Sequence, residues 1–187
     1  MGKIILITGG ARSGKSTFAE KYAARYGKNI AYIATAQIYD TEMAYRVSLH
    51  KKRRPASWHT YEAPYDAHEA LAAAGKDHDL VLFDCLTLYI SNLLCRQEDS
   101  SDEAGNYELL KEKMNLLLLQ ARQNRGTTVF VTNEVGAGIV PENQLARAYR
   151  DLSGLANQMV GAAADEVYLV VCGLPLNIKR LAESWED

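Results

Sequence analysis

Residues 4–26 constrain the chain more than any other stretch. Ile4-Ile5-Leu6-Ile7 is an apolar run of strand length, Thr8-Gly9-Gly10-Ala11-Arg12-Ser13-Gly14-Lys15-Ser16 follows at once, and Thr17 to Tyr26 has the pattern of a helix. Gly9 and Gly14-Lys15-Ser16 satisfy G-x-x-x-x-G-K-[ST] in the strand–loop–helix setting that gives this spacing its meaning. Glycines let the backbone turn tightly and aim successive N–H groups at phosphate oxygens, and the new helix presents the positive end of its dipole to the same anion. Lys15 then reaches the β- and γ-phosphates, and the Ser16 hydroxyl is placed to ligate Mg²⁺. The bland alternative is a glycine-rich turn with a chance lysine, and the flanking strand and helix weigh against it. The stretch predicts a nucleoside triphosphate site.

Downstream, strand and helix patterns alternate. Asn29 to Thr35 is a predicted strand, and Asp40 is placed to cap a helix through Glu42, Met43, Val47 and His50 that Pro55 stops. Trp58 to Tyr61 is a short strand candidate, and Ala67 to Ala74 a short helix closed by Gly75. Leu80-Val81-Leu82-Phe83-Asp84 is a buried strand ending in an acid, and Leu86 to Leu94 an interior helix. Gln97 to Gly105 is polar and predicts a mobile loop, after which Leu109, Leu110, Met114, Leu117, Leu118 and Ala121 recur at helical spacing. Thr127 to Thr132 predicts a strand, Asn143 to Ala164 an amphipathic helix, Val167 to Val171 a strand, and Leu174 to Ile178 a last, antiparallel edge strand. Continuous apolar strands between helices imply an α/β fold, a mostly parallel sheet with helices on both faces.

The 187 residues, 48% hydrophobic and 24% charged, suffice for one buried core and are too few for two ordinary domains, so residues 1–187 are expected to form a single domain. A formal charge of −2 gives no global basic field, and neither nucleic acid nor an anionic membrane is expected as partner. Cys85, Cys95 and Cys172 lie in apolar stretches without C-x-x-C spacing and predict reduced core residues of a cytoplasmic protein. The N-terminal apolar run is only of strand length and leads into the glycine loop, which predicts neither a signal peptide nor a membrane span.

In open α/β sheets the ligand lies outside the carboxyl ends of the strands. Thr35 and Gln37, Asp84 and Thr87, and Thr132, Asn133 and Glu134 occupy such ends and are expected to share a crevice with the glycine loop. Asp84 is the natural acid to hold Mg²⁺ directly or through water, with helix capping as the alternative role. Glu134 fits a general base or second metal partner, and equally a solvated loop acid. The segment His50-Lys51-Lys52-Arg53-Arg54-Pro55 is the other unusual feature. Four consecutive cations are ordinarily a solvated face or a nucleic-acid patch. On a helix from Asp40 to about Arg54, however, Arg46, His50, Arg53 and Arg54 fall along one stripe. Such a stripe would repel protons from the imidazole and keep His50 neutral, the form able to attack phosphorus. His59, His68 and His78 have no metal-ligand spacing and predict surface or packing residues.

Gly9 to Ser16, Ile33-Ala34-Thr35-Ala36-Gln37, the His50 to Pro55 segment, Glu62, Asp84 and the run Thr132 to Asn143 (Thr-Asn-Glu-Val-Gly-Ala-Gly-Ile-Val-Pro-Glu-Asn) together resemble the bifunctional adenosylcobinamide kinases / adenosylcobinamide-phosphate guanylyltransferases of cobalamin assembly. The resemblance runs from Ile4 to Lys179, and the histidine segment and the Thr132 to Asn143 run are its specific parts. It implies a RecA-like P-loop NTPase fold, a homotrimer, and two reactions with ATP or GTP as substrates. A hydroxyl of the aminopropanol arm of adenosylcobinamide is phosphorylated; GTP then loses pyrophosphate to form a GMP–histidine intermediate, from which the phosphorylated cobinamide takes GMP. The matching histidine is His50, with Lys15 as the other catalytic residue. The resemblance implies GTP contacts at Gly9, Gly10, Ala11, Arg12, Ser13, Gly14, Lys15 and Ser16, at Ala34, Thr35 and Ala36, at Lys51, Lys52, Arg53 and Arg54, and at Glu62 and Asp84. No Asn-Lys-x-Asp guanine motif is present, so guanine preference and attack at the α-phosphate come from the resemblance alone. A plain P-loop kinase of a small alcohol and a nucleotide-gated RecA-like binding module are the competing readings, and a covalent nucleotide on the protein separates the bifunctional reading from both.

Overall fold

A computed structural model describes residues 1–97 and 102–183, apart from the side chain of Arg46. In chain order the elements are β1 (Lys3–Thr8), α1 (Lys15–Tyr26), β2 (Ile30–Ala34), α2 (Thr41–Arg53), β3 (His59–Glu62), α3 (Ala67–Asp77), β4 (Leu80–Asp84), α4 (Leu86–Cys95), α5 (Glu103–Gln123), β5 (Thr127–Val131), α6 (Gln144–Ala163), β6 (Glu166–Val171) and β7 (Leu174–Asn177), closed by a short 3-10 turn at Ile178–Arg180. Seven strands form one sheet in the order β3-β2-β4-β5-β1-β6-β7. Each neighbouring pair is parallel except β6 and β7, as expected for the edge.

Both faces are covered, which is why the central strands are apolar throughout rather than alternating. Ile4, Leu6, Ile33, Phe83 and Phe130 face α3, α4, α5 and α6, where Leu71, Ile90, Met114 and Val160 meet them. Ile5, Ile7, Tyr32, Leu82 and Val129 face Ala19, Tyr22 and Ala23 of α1. Each fully buried aliphatic side chain contributes about 1.5–3 kcal/mol of transfer free energy. The parallel register sets the carboxyl ends level: Ile7 pairs with Val131, Val131 with Asp84, Asp84 with Ala34 and Ala34 with Glu62. That row is the floor on which the site is built.

Helix α2 differs from the others, because none of its described side chains is fully buried. Asp40 caps it as expected, its Oδ1 accepting from the Met43 N–H at 2.7 Å, and Arg54 turns extended before Pro55.

The structure corrects three expectations. First, α3 does not close at Gly75 but runs on to Asp77. A Cβ on Gly75 would sit 1.9 Å from Oδ1 and 2.2 Å from Cγ of Asn124, so this glycine serves the approach of a buried asparagine rather than a helix stop. Second, the polar stretch Gln97 to Gly105 is not loop throughout. Residues 98–101 lie outside the described ones, but Asp102 accepts from the Gly105 N–H at 3.0 Å and α5 begins at Glu103. The acidic residues there serve a helix N-terminus, where carboxylates are favoured. Third, only Cys85 is buried; Cys95 ends α4 and Cys172 sits in the β6–β7 turn, where the chain leaves the core, and both are exposed. Among the described residues no helix is long and apolar enough to cross a membrane.

Gly→Ala inside an ordinary exposed helix stabilises by roughly 0.5–1 kcal/mol. Gly75→Ala is expected to do the reverse and destabilise by about 1–3 kcal/mol through overpacking against Asn124, with Asn124→Ala recovering part of the loss in the double variant. Urea denaturation of the three variants measures this; a gain in stability from Gly75→Ala alone would refute the packing account.

Candidate active site

The glycine loop leaves β1 at Thr8 and feeds α1 at Lys15. Its glycines answer to close approach: a Cβ on Gly9 would lie 2.5 Å from the Val170 carbonyl oxygen, and Gly14, at φ 97°, comes within 3.0 Å of Gly173 Cα by the same construction. The Gly173 N–H donates to the Ser13 carbonyl at 2.8 Å, so the β6–β7 turn braces the loop. Lys15 is buried, and its Nζ donates to the Gly10 carbonyl at 3.1 Å. Burial pushes its pKa below the usual lysine value, opposed by Cys85 and Asp84.

Loop and strand ends open on one cleft of ≈ 1160 Å³. Ala11, Arg12, Ser13, Gly14, Lys15 and Ser16 line one side of it. Ala34, Ala36, Glu62 and Asp84 border it from the row of strand ends, and His50, Lys51, Arg53 and Arg54 from α2 and its C-terminus. Four of the residues nominated as GTP contacts are not on the wall. Gly9 is buried in the bend, Gly10 and Lys52 are exposed, and Thr35 is buried. Thr35 is a bracket: its hydroxyl accepts from the Cys85 N–H at 2.9 Å and donates to the Cys85 carbonyl at 2.8 Å, tying the ends of β2 and β4. Thr87 and Thr132 are likewise buried ties, to Asn133 at 2.9 Å and Asn157 at 2.7 Å, whereas Gln37, Asn133 and Glu134 reach the wall. Glu134 Oε1 accepts from the Gly136 N–H at 2.8 Å and so shapes its own loop.

Asp84 is not the cap of α4; that position is Cys85, and it makes no side-chain capping bond. Asp84 Oδ2 instead accepts from the Tyr32 hydroxyl at 2.9 Å, across the β2–β4 ladder. Burial, reinforced by Asp84, pushes the Tyr32 phenol far above its ordinary pKa, so it stays a donor. The Arg54 guanidinium covers the Tyr32 ring at 3.5 Å, and its Nε donates to the His50 carbonyl at 3.2 Å. Ser16 and Asp84 offer hard oxygens on the same cleft, and among the described residues no three His, Cys, Asp or Glu side chains form an all-protein cage. Mg²⁺ is ordinarily held by one or two protein oxygens with phosphates and waters completing its shell, and this donor pair fits it.

His50 stands over the cleft with Nδ1 3.9 Å from Asp84 Oδ2 and 3.9 Å from Glu20 Oε1. Arg53 Nη2 lies 3.2 Å from Nδ1 and 3.3 Å from Nε2. The His50 pKa is lowered, as the cationic stripe led one to expect, but the largest cause is burial. Arg53, Arg54 and Lys15 add to it, and Asp84 opposes. The side chain of Arg46, the fourth member of the expected stripe, is outside those described. His59 packs on Tyr61 at 4.6 Å and lies 5.8 Å from His78, an edge cluster remote from the cleft walls.

Two site residues escaped the sequence reading. Tyr32 was read as one more apolar strand residue, and its contact with Asp84 spans 52 positions. Glu20 lies in α1 four residues after Ser16, a spacing that puts both on one helical face and could have flagged it. Since a charge-assisted hydrogen bond is worth about 1.5–3 kcal/mol, Lys15→Ala should weaken nucleoside triphosphate binding by roughly 10- to 100-fold. Calorimetric titration measures this; unaltered affinity would remove the loop lysine from phosphate binding.

Residues 5–178 match the family model described as cobinamide kinase / cobinamide phosphate guanyltransferase. The bifunctional adenosylcobalamin biosynthesis protein CobU of Salmonella typhimurium is 42% identical over 181 residues, covering 94% of this chain and 99% of that protein. Its counterpart CobP of Pseudomonas aeruginosa is 41% identical over 175 residues, covering 93% of this chain and 96% of that protein. In fold, a prototypical ATPase from the type III secretion system of pathogenic bacteria aligns with a TM-score of 0.58 at 13% identity, over 99% of this chain and 60% of that one. A P-loop NTPase fold, with the loop, acid and histidine segment on one cleft, agrees with these matches: the chain is an enzyme of the cobinamide kinase / cobinamide phosphate guanyltransferase family.

Proposed function

We propose that this chain phosphorylates the aminopropanol hydroxyl of adenosylcobinamide from a nucleoside triphosphate, then transfers GMP from GTP through a covalent adduct on His50, yielding adenosylcobinamide-GDP and pyrophosphate. The observation that carries the reading is the position of His50 on the cleft that also holds Lys15 and Asp84. The 9–16 loop cradles the phosphates with its N–H groups, and the desolvated Lys15 ammonium stabilises charge as it shifts between phosphate oxygens. Ser16 and Asp84 would hold Mg²⁺, which supplies charge neutralisation to the polyphosphate when bound. Lys51, Arg53, Arg54 and Glu62 complete the nucleotide contacts. The family resemblance further suggests a homotrimer working in the cytoplasm.

In the kinase step the substrate hydroxyl attacks the γ-phosphorus, losing its proton to solvent, and the nucleoside diphosphate leaves with the electron pair of the broken P–O bond; positioning and electrostatics carry most of the catalysis. In the guanylyl step the lone pair of a His50 ring nitrogen attacks the α-phosphorus. A P–N bond forms, the bond to the bridging oxygen breaks, and pyrophosphate departs with that pair. An oxygen of the phosphorylated acceptor then attacks the same phosphorus and returns a neutral imidazole. A histidine whose pKa is lowered is the form that can begin this sequence.

GTP labelled at the α-phosphate should leave an acid-labile, base-stable label on the protein, γ-labelled GTP should leave none, and His50→Asn should abolish both the label and the GDP-linked product. Denaturing gels of the two reactions decide it: no α-label, or GDP-linked product from the His50→Asn variant, would leave a plain kinase. Asp84→Asn should raise the Mg²⁺ concentration needed for half-maximal rate in both steps by roughly 10-fold or more, since an amide oxygen still accepts from Tyr32 but lacks the charge. An unchanged Mg²⁺ titration would assign Asp84 to the Tyr32 contact alone.

A further inference from the structure

Glu20 is a half-buried polar group beside His50 that the two reactions leave without work. It sits on the cleft-facing side of α1, one turn beyond Ser16, with its side chain 15% exposed. Its Oε1 is buried and makes no hydrogen bond among the described residues. A buried carboxylate lone pair without a donor is costly, and native structures seldom keep one without a use. Two nitrogens of α2 lie within 4 Å of this oxygen: Arg53 Nη2 at 3.8 Å and His50 Nδ1 at 3.9 Å. Asp84 approaches the same ring nitrogen at 3.9 Å, but its Oδ2 already accepts from Tyr32 at 2.9 Å. The two carboxylates stand equally far from that ring nitrogen, and they differ in that Asp84 Oδ2 is shared with Tyr32 while Glu20 Oε1 has no hydrogen-bond partner of its own among the described residues.

We propose that Glu20 is a positioning residue for the His50 nucleophile: its carboxylate takes the Nδ1–H hydrogen bond, fixes the tautomer with the lone pair on Nε2, and balances the positive charge the ring acquires when GMP is attached. This rests on the reading of His50 as the site of the GMP adduct. About 1 Å separates the present distance from hydrogen-bond range, and catalytic hydrogen bonds often tighten only in the reacting complex. When Nε2 bonds to the α-phosphorus and pyrophosphate leaves, Nδ1 keeps its proton and the ring becomes cationic. The Glu20 carboxylate meets that charge inside the protein, where Coulomb attraction is stronger than in water. When the acceptor phosphate attacks, the P–N bond breaks, its electron pair returns to Nε2, and the same hydrogen bond holds the neutral ring. A carboxylate that orients a histidine is a recurrent device, and losing such a partner typically costs 10- to 100-fold in activity. Arg53 Nη2 can only donate, so with Nδ1–H turned to Glu20 its hydrogen bond goes to Nε2, 3.3 Å away, and bound phosphate must draw the guanidinium off before Nε2 attacks.

The test uses Glu20→Gln, which keeps size, and Glu20→Asp, which keeps charge, in single-turnover labelling with α-labelled GTP. Glu20→Gln should slow formation of the protein-bound label by about 10- to 100-fold, while the GTP concentration for half-maximal labelling stays within about threefold. Glu20→Asp should recover part of that rate. Nitrogen-15 NMR of the wild-type ring, free and with α,β-methylene-GTP, should place the proton on Nδ1. Wild-type labelling rate in Glu20→Gln, a parallel loss of rate and GTP affinity together with thermal midpoint, or a proton on Nε2 would each overturn the role of Glu20. If wild-type protein takes no α-label at all, the reading of His50 fails instead, and the ring tautomer still reports whether Glu20 holds Nδ1–H.

Discussion

Lys15 is buried as a residue, and the one hydrogen bond of its Nζ among the described residues is to a neutral acceptor, the Gly10 carbonyl at 3.1 Å. Burying an ammonium costs several kcal/mol unless anionic oxygens replace its hydration, and Asp84 supplies only part of that field. The fold keeps the cation there because the rest of the loop leaves it no alternative. Gly9 is pressed against Val170, Gly14 against Gly173, and the Ser13 carbonyl is held by the β6–β7 turn. Under the proposed function a bound triphosphate meets a cation that the loop has already desolvated, so a contribution unfavourable in the protein alone turns favourable in the complex.

The opposite wall is held differently. Strand ends are fixed by the ladder, since Ala34, Asp84 and Val131 share one row. Helix α2 has no fully buried described side chain to anchor it. Its C-terminal turn is placed by Arg53 near Glu20, Arg54 over Tyr32, and Lys51 3.3 Å from the exposed Glu62. Exposed ion pairs contribute about 0–1 kcal/mol each, so the Arg54–Tyr32 contact and the half-buried Glu20–His50–Arg53 cluster carry most of the positioning. Under the proposed function, the imidazole that attacks rides on the helix with no fully buried described side chain, as suits a residue that must meet substrate rather than core.

This division also explains what was legible in the sequence. The loop from Gly9 to Ser16 is a local code, and strand identity follows from apolar runs such as Ile4 to Ile7 and Leu80 to Phe83, so sheet, edge strand and most helix ends were readable. Gly75 was misread because its reason, Asn124, lies 49 positions away and leaves no local mark. Cys95 and Cys172 were misread because an apolar neighbourhood in sequence does not report where a helix or strand leaves the core. Thr35 was nominated for the wall, yet its side chain spans two strands that only the register brings together. The lowered His50 pKa was anticipated from neighbouring cations, but burial, its larger cause, depends on α1 and β4 closing around the ring. Site chemistry carried by contiguous residues was visible; chemistry assembled by pairing was not.

The cleft's size bears on how one site could serve two transfers. At ≈ 1160 Å³ it exceeds the roughly 300–1,000 Å³ usual for one small ligand, and its walls are divided. Lys15, His50, Arg53 and Arg54 gather near the loop, while Ile38, Tyr39, Met43, Val47 and Leu88 contribute apolar surface to the same cleft. Under the proposed reaction sequence the second acceptor is a bulky corrinoid bearing a phosphate, which must approach His50 while GMP remains attached. An apolar wall suits the macrocycle, and the cationic end offsets repulsion between two phosphates brought to one phosphorus. Ile38 and Tyr39, exposed in the free chain, are then placed to lose water only when that acceptor arrives, so apolar burial would add to binding at the step where charge repulsion opposes it.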